Sequence, residues 1–331
     1  MSSPDRQQFA AASALAALAT IAATAAAPCL AQNYPNGPLK IVSPYPPGGG
    51  TDILGRTVGQ KLNERFGVPV VIDNRSGANG TLGAALVAKS PADGHTLLFV
   101  PAGYAANPGL YKSLPYDQAR DLAPASHLAS GPLVLVVHPS LPVKSVRELI
   151  ALARSRPGEI NVGSAGNGSL PHLSLELFNA TSGVRMTHIP YKGSGAAIVD
   201  VMSGQVPVYF MNILQSLPLI KAGKLRALGV TSPQRSPIAP GLPAIAEAGL
   251  PDFDMTNWYG MLVPAATPRD VIGKLQQEVA RILNLPELKE RLAADGMTVV
   301  GSTPAQFVEF LARETAKYNR IIQAAGIKGA Q

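Results

Sequence analysis

The sequence predicts an α/β protein of two domains, each a mostly parallel sheet flanked by helices. Three observations lead there. Short apolar runs alternate with stretches of helical periodicity. The alternation comes in two separate series, one before residue 130 and one between 131 and 257. The length, 331 residues, suits two domains at roughly 100–200 residues each. Strands alternating with helices make βαβ units, whose right-handed crossovers leave neighbouring strands parallel.

Residues 39–43 form the first strand, broken by the Pro- and Gly-rich stretch 44–50. Residues 53–66 carry Ile53, Leu54, Val58, Leu62 and Phe66 at helical spacing, and Gly67 ends that helix. Residues 68–72 and 96–100 are the next strands, with a small-residue helix at 81–89 between them. In the second series, residues 133–137 are a buried strand. Ser145 and Glu148 then form a capping box that opens a helix ending at Arg156. A strand at 160–164, a glycine loop and a helix through Leu173, Leu177 and Phe178 follow. Strands at 186–189, 206–211 and 226–231 and a helix at 195–203 complete this series. A strand at 258–263 precedes three helices, 268–283, 287–294 and 304–325. Pro268 and Pro304 stand at N1, and Phe307, Phe310 and Leu311 form an apolar stripe. Three helices with little sheet do not make a domain, so they are expected to return and cover the first one. The domains are then 32–130 plus 258–331, and 131–257.

Hydrophobic residues at 46% and charged residues at 15% describe a globular chain. One cysteine, Cys29, excludes a disulfide scaffold and a Cys-rich metal site. The five histidines show no helical metal-ligand spacing, so no metal and no cofactor are expected. The net charge of +7 favours anionic partners, but no run of five basic residues exists and no nucleic-acid partner is expected. Residues 9–27 are almost all Ala, Leu, Ile, Ser and Thr, after a polar start containing Arg6. With Leu30 and Ala31 they read as a secretory leader cut near Ala31, or as an uncleaved anchor. No other run of 18 apolar residues follows, and a cysteine-free exported remainder suits the periplasm.

Ligands of open α/β sheets bind at the carboxyl ends of strands. Two glycine-rich loops lie there: Pro46-Pro47-Gly48-Gly49-Gly50-Thr51-Asp52 and Gly163-Ser164-Ala165-Gly166-Asn167-Gly168-Ser169. Each offers backbone N–H groups and a helix N-terminus, the elements of an anion site, or else is a tight turn before a capped helix. Thr51 and Ser169 add hydroxyls that also suit capping. Two further polar loops contain Gly77 and Asn79, and Gly103, Tyr104 and Asn107. Asp52 reads as a first-turn residue complementing the helix dipole, and His172 as a hydrogen-bonding histidine beside its loop. Lys192 either attracts an anion or is an exposed turn lysine, and Trp258 reads as packing. No paired catalytic carboxylates and no Gly-x-Ser-x-Gly elbow are present. A hydrolase would have to use Ser169 or Ser164 with His172.

Several segments together resemble the Bug family, the periplasmic receptors of tripartite tricarboxylate transporters. They are Asn33-Tyr34-Pro35, the loop 46–52, Asn74-Arg75-Ser76-Gly77-Ala78-Asn79-Gly80, Ser90-Pro91-Ala92-Asp93-Gly94 and Asn107-Pro108-Gly109-Leu110-Tyr111. Gly166-Asn167-Gly168-Ser169 with His172, Pro190-Tyr191-Lys192-Gly193, the segment 222–228 and Trp258-Tyr259-Gly260 continue the match in order. The resemblance implies a two-domain Venus-flytrap fold of the periplasmic binding protein type. It further implies a monomer that captures a small organic carboxylate (a di- or tricarboxylate, an acidic amino acid or an aromatic acid) in the interdomain cleft and hands it to membrane transporter subunits. A ligand-sensing subunit docked on a signalling kinase is the other use of such a module. In the family one carboxylate is held by loop amides, hydroxyls and bridging waters. That role falls here on residues 45–52, including Tyr45, on 76–80 and on 164–169. The family commonly has Phe-Asp where this chain has Phe210-Met211. Met211 is therefore expected to line a pocket for a bulkier or more apolar acid.

Overall fold

A computed structural model describes residues 34–294 and 296–327. The expected leader, its cut near Ala31 and Cys29 lie outside the described residues. The first series runs β1 (Leu39–Ser43), α1 (Gly50–Phe66), β2 (Val70–Asn74), α2 (Thr81–Ala88), β3 (Thr96–Pro101), α3 (Asn107–Leu110) and β4 (Leu122–Gly131). The second runs β5 (Leu133–Val137), α4 (Val146–Ser155), β6 (Asn161–Ser164), α5 (Leu170–Ser182), β7 (Thr187–Pro190), α6 (Ser194–Met202), β8 (Val208–Asn212), α7 (Ile213–Lys221) and β9 (Arg226–Val230). Then come β10 (Asn257–Pro264), α8 (Arg269–Leu283), α9 (Pro286–Ala294), β11 (Thr298–Val299) and α10 (Pro304–Ala325).

The strands form a sheet of order β11-β4-β10-β3-β1-β2 and another of order β7-β6-β8-β5-β9. The α/β class holds, but the sheets are mixed rather than mostly parallel. β1 pairs parallel with β2 and β3, and β6 with β7 and β8. β10 returns antiparallel between β3 and β4, while β5 lies antiparallel between β8 and β9. The chain has to leave the first sheet through β4 and re-enter it through β10, and each passage reverses strand direction. β5 is buried at all five positions, as a central strand covered on both faces requires.

Both passages between the sheets are tied to one side chain. Thr231, fully buried, accepts the Leu133 N–H on its hydroxyl at 2.8 Å and donates that hydroxyl to the Met255 carbonyl at 2.9 Å. Its backbone exchanges bonds with the same two residues, Thr231 N to Leu133 O at 2.9 Å and Met255 N to Thr231 O at 3.0 Å.

The capping box at α4 is half formed. Ser145 Oγ accepts the Glu148 N–H, but the Glu148 carboxylate accepts the N–H of Lys144 instead of that of the cap residue. Pro268 is the N-cap of α8 rather than N1, whereas Pro304 follows Thr303, which makes a complete capping box with Gln306. The closing helices do return: α8 packs on α1 and β4, and α10 on β4. α10 also reaches α5 of the second series, which the sequence did not indicate. Trp258 is core, its ring edge-on to Phe307 and Phe310 and its Nε1 donating to Glu314 at 3.2 Å.

Thr231→Val keeps the shape but strands the Leu133 N–H and the Met255 carbonyl in a dry interior. Urea unfolding is expected to show a loss of about 2–4 kcal/mol.

Candidate functional site

The loops at the carboxyl ends of β1, β2 and β3 converge on Asn79. Residues 77–80 all have positive φ: 138° at Gly77, 46° at Ala78, 51° at Asn79 and 83° at Gly80. Such backbone is costly for residues with a Cβ, and the Asn79 side chain is what holds it. Asn79 Nδ2 donates to Gly103 O at 3.2 Å and to Asn107 Oδ1 at 2.9 Å. The Tyr45 hydroxyl lies 3.0 Å from Asn79 Oδ1 and 3.2 Å from its carbonyl, which also accepts from Asn107 Nδ2 at 3.3 Å. Burial, with Tyr111 and Tyr116 nearby, pushes the Tyr45 phenol well up, so it stays a neutral donor. Tyr104 is likewise buried with a raised pKa.

The second sheet brings its glycine loop to the same place. A Cβ on Gly168 would collide with Leu110 and sit 3.4 Å from Asn79 Nδ2, and the residue's φ is +74°. Glycine is therefore required at this approach. Gly168 N–H donates to His172 Nδ1 at 3.0 Å, and Ser169 Oγ donates to Gly166 O at 2.7 Å. Ser164 Oγ takes the Gly166 N–H at 3.0 Å and stands 2.6 Å from His188 Nε2. His188 stacks on His172 at 3.7 Å, and His172 Nε2 lies 3.5 Å from Glu176. Neither Ser169 nor Ser164 bonds His172, so the arrangement a hydrolase would need is not assembled.

Neither cleft-side hydroxyl caps its helix. Gly49 is the N-cap of α1 and Ser169 that of α5, both without a side-chain cap bond, while Ser145 and Thr303 cap α4 and α10. α1 begins at Gly50, so Thr51 and Asp52 lie in its buried first turn. Asp52 turns inward: its Oδ2 accepts from the Gly48 N–H at 3.0 Å and from Arg56 Nε at 3.0 Å. Burial opposes its charge, but the bonds from Arg56, the Gly48 amide and Asn74 outweigh that and hold the carboxyl below its ordinary range. The loop thus offers an incoming anion no uncompensated negative charge.

On the other side of that loop is a cavity of about 110 Å³, lined by Gly48, Gly50, Asn212, Asn257 and Tyr259 among others. A Cβ on Gly50 would strike the Tyr259 hydroxyl. Of the sequence-predicted residues, Asn167 and Lys192 are exposed on their turns. Met211 is a correction. It pairs with Val134 in the sheet and is fully buried in an apolar cluster with Tyr209 and Ile213. It lines neither this cavity nor the wider one of about 440 Å³ beside Ser232 and Thr298. The strand alternates faces: Phe210 joins one apolar cluster, and Met211 joins another with Ala197, Val201 and Ala244. Sequence reasoning missed Asn107 as a partner of Asn79, and Tyr259, Asn257 and Asn212. The only signals for them were the Asn107-Pro108-Gly109 and Trp258-Tyr259-Gly260 strings.

Two mixed sheets with flanking helices, joined by two passages and meeting loop against loop, define the periplasmic binding protein class. Rpa4515 of R. palustris, solved with adipate, superposes with a TM-score of 0.84 at 38% identity, over 90% of this chain and 100% of that one. MatC from Rhodopseudomonas palustris, with bound malate, gives 0.79 at 30% identity over 87% and 100%. BugT of Bordetella pertussis is 39% identical over 95% of this chain and 98% of its own. The sequence pattern of the tripartite tricarboxylate transporter family receptor matches residues 54–327. This chain belongs to that receptor family, whose members are periplasmic solute-binding proteins and not enzymes.

Asn79→Asp keeps the acceptor for Tyr45 but sets carboxylate oxygens against Gly103 O and Asn107 Oδ1. Denaturant titration is expected to show a loss of about 2–4 kcal/mol. Burial and the neighbouring His172 push His188 down to about 3, and burial pushes His127 down to about 4. Unfolded histidine titrates near ~6.5. The unfolded chain therefore takes up these protons first. Stability is complete above that pH and falls as pH drops toward 3. Thermal melts between neutral pH and pH 4 are expected to show the decline, shallower in His188→Gln.

Proposed function

We propose that this chain is an exported receptor that captures a small organic dicarboxylate between its two sheets and delivers it to the membrane subunits of a tripartite transporter. The reading divides the protein into a leader cut near Ala31, a first domain of 32–130 plus 258–331, and a second of 131–257, acting as a monomer in the periplasm. One observation carries it. The glycine loops of both sheets meet through Tyr45, Asn79 and Gly168, and the helices they open, α1 and α5, start with no side chain on their first amides. Free N–H groups at two helix N-termini on facing loops meet a carboxylate without a fixed cation. The neutralised Asp52 and the half-buried His188, whose pKa is pushed down, keep competing charge away. The adipate and malate in related structures support the ligand class. A ligand touching both loops favours the arrangement in which they close on it.

The test is a thermal-shift panel on ligand-stripped protein beginning at residue 32. Ligand at 100 times its Kd adds about 2.7 kcal/mol, a rise of about 5 °C. Aliphatic dicarboxylates are expected to give that rise, and acidic amino acids and benzene carboxylates less. A panel in which no acid raises the melting temperature would contradict the reading.

A further inference from the structure

The second glycine loop is held by two stacked histidines, and its bonds decide where the protons of one of them sit. The Gly168 N–H points at His172 Nδ1 at 3.0 Å. A backbone amide can only donate, so Nδ1 carries no proton. The proton of the neutral ring is then on Nε2, 3.5 Å from Glu176 Oε1. A further proton on His172 has only Nδ1 to occupy, where it sets one N–H against another inside a buried contact. His188 lies over the same ring at 3.7 Å, 8° from parallel, with its Nε2 2.6 Å from Ser164 Oγ. Ser164 in turn accepts the Gly166 N–H at 3.0 Å. Gly166 and Gly168 are thus both held through this pair. Two charged rings at that separation repel, so the pair takes up one proton at most. Burial and His172 already push His188 down to about 3, which leaves His172, beside Glu176, to take it.

The other charged and titratable groups on the packed elements are engaged elsewhere or face solvent. Tyr191, after β7, bonds Asp200 of α6 at 2.6 Å, and Lys192 is exposed on its turn. Burial pushes Tyr209 of β8 up to about 12. On α10, which packs on α5, Lys317 pairs with Glu314 at 2.7 Å and with Asp254 at 3.4 Å. Its Glu309, Arg313 and Arg320 are exposed, and burial raises Tyr318. From the first sheet, the atoms nearest a Cβ on Gly168 belong to Leu110 and Asn79, neither of them titratable. Among the described residues, Glu176 is the one carboxylate against either ring.

We propose that His172, backed by His188, is a positioning residue that ties ligand affinity to proton uptake. The second loop keeps its shape only while His172 is neutral, and acidification releases the ligand. This inference rests on the carboxylate-receptor reading above. When Gly168 loses its acceptor, the loop loses its approach to Asn79 across the seam, where a Cβ on residue 168 would stand 3.4 Å from Asn79 Nδ2. The bound form excludes the proton and the unbound form takes it. Affinity is therefore complete above the ordinary imidazole range, near ~6.5, and falls as the pH drops through it.

Calorimetric titrations with adipate and malate at about pH 7.5 and about pH 5.5 test it, on wild type, His172→Leu and His172→Asn. Wild type is expected to weaken about tenfold at the lower pH beyond what the ligand's own carboxylates cause, the weight of one proton on an ordinary imidazole. His172→Leu removes the acceptor and is expected to lose about tenfold at the higher pH. In His172→Asn, Oδ1 takes the place of Nδ1 and cannot be protonated. That variant is expected to recover most of the loss and to show only the pH dependence of the ligand. Melting curves check that both variants fold. Should His172→Leu not fold, wild type against His172→Asn decides alone. If those two weaken in parallel between the two pH values, the histidine pair does not govern affinity, though the receptor reading stands. If neither acid binds wild type at the higher pH, that reading fails, and this inference with it.

Discussion

Four consecutive residues with positive φ, two of them not glycine, form the wall of the site on the first sheet, and they stay in place because of one asparagine. The left-handed conformation costs about 1–2 kcal/mol for each residue with a Cβ. Asn79 offsets it by bonding three other loop positions at once: Tyr45 after β1, Gly103 after β3, and Asn107 at the start of α3. The side chain therefore fixes the mutual spacing of three loops that no sheet ladder connects. The second sheet's loop closes on the same atoms through Gly168. Remove the asparagine, and the turn, the three loops and the facing glycine lose their common reference.

The second constraint is Thr231, which ties the two passages between sheets to each other. A threonine hydroxyl both accepts and donates, so it serves a backbone N–H from one passage and a carbonyl from the other. Position and charge then work together at the seam. The chain carries a net +7, yet neither glycine loop, 46–52 or 163–169, contains a lysine or arginine. Charge is managed by neutralisation: Arg56 answers Asp52, and burial beside the stacked His172 holds His188 well below the ordinary imidazole range. What remains facing the seam is partial positive charge from backbone amides. That suits a ligand which must be released as well as caught.

Much of the architecture is legible in the sequence because apolar periodicity and breakers agree. β5 was predicted at 133–137 and found there, and Gly67 ends α1 in the left-handed conformation expected of it. β4 was missed because Leu122–Gly131 is mostly Ala, Ser, Gly and Pro, poor strand formers that are buried because β10 and β11 flank them and α8 and α10 pack on them. α7 was missed because Pro218 interrupts its pattern. Strand direction is likewise set by tertiary return: nothing local says that β10 inserts between β3 and β4. At the site, the glycine loops were placed correctly since only glycine allows such close approach. Their partners were not, because Asn107, Asn257 and Tyr259 act across 28 to 45 residues or through a clash that no local pattern encodes. Met211 shows the opposite error, where chemistry was inferred at a position whose facing only the sheet register decides.

The claim that both glycine loops hold one ligand is tested most directly by amide hydrogen exchange, with and without saturating adipate. Exchange is expected to slow together in peptides covering residues 46–54 and 164–172, while the capped helix α4 is unchanged. Slowing in only one of the two loops, or in neither despite binding, would contradict the account.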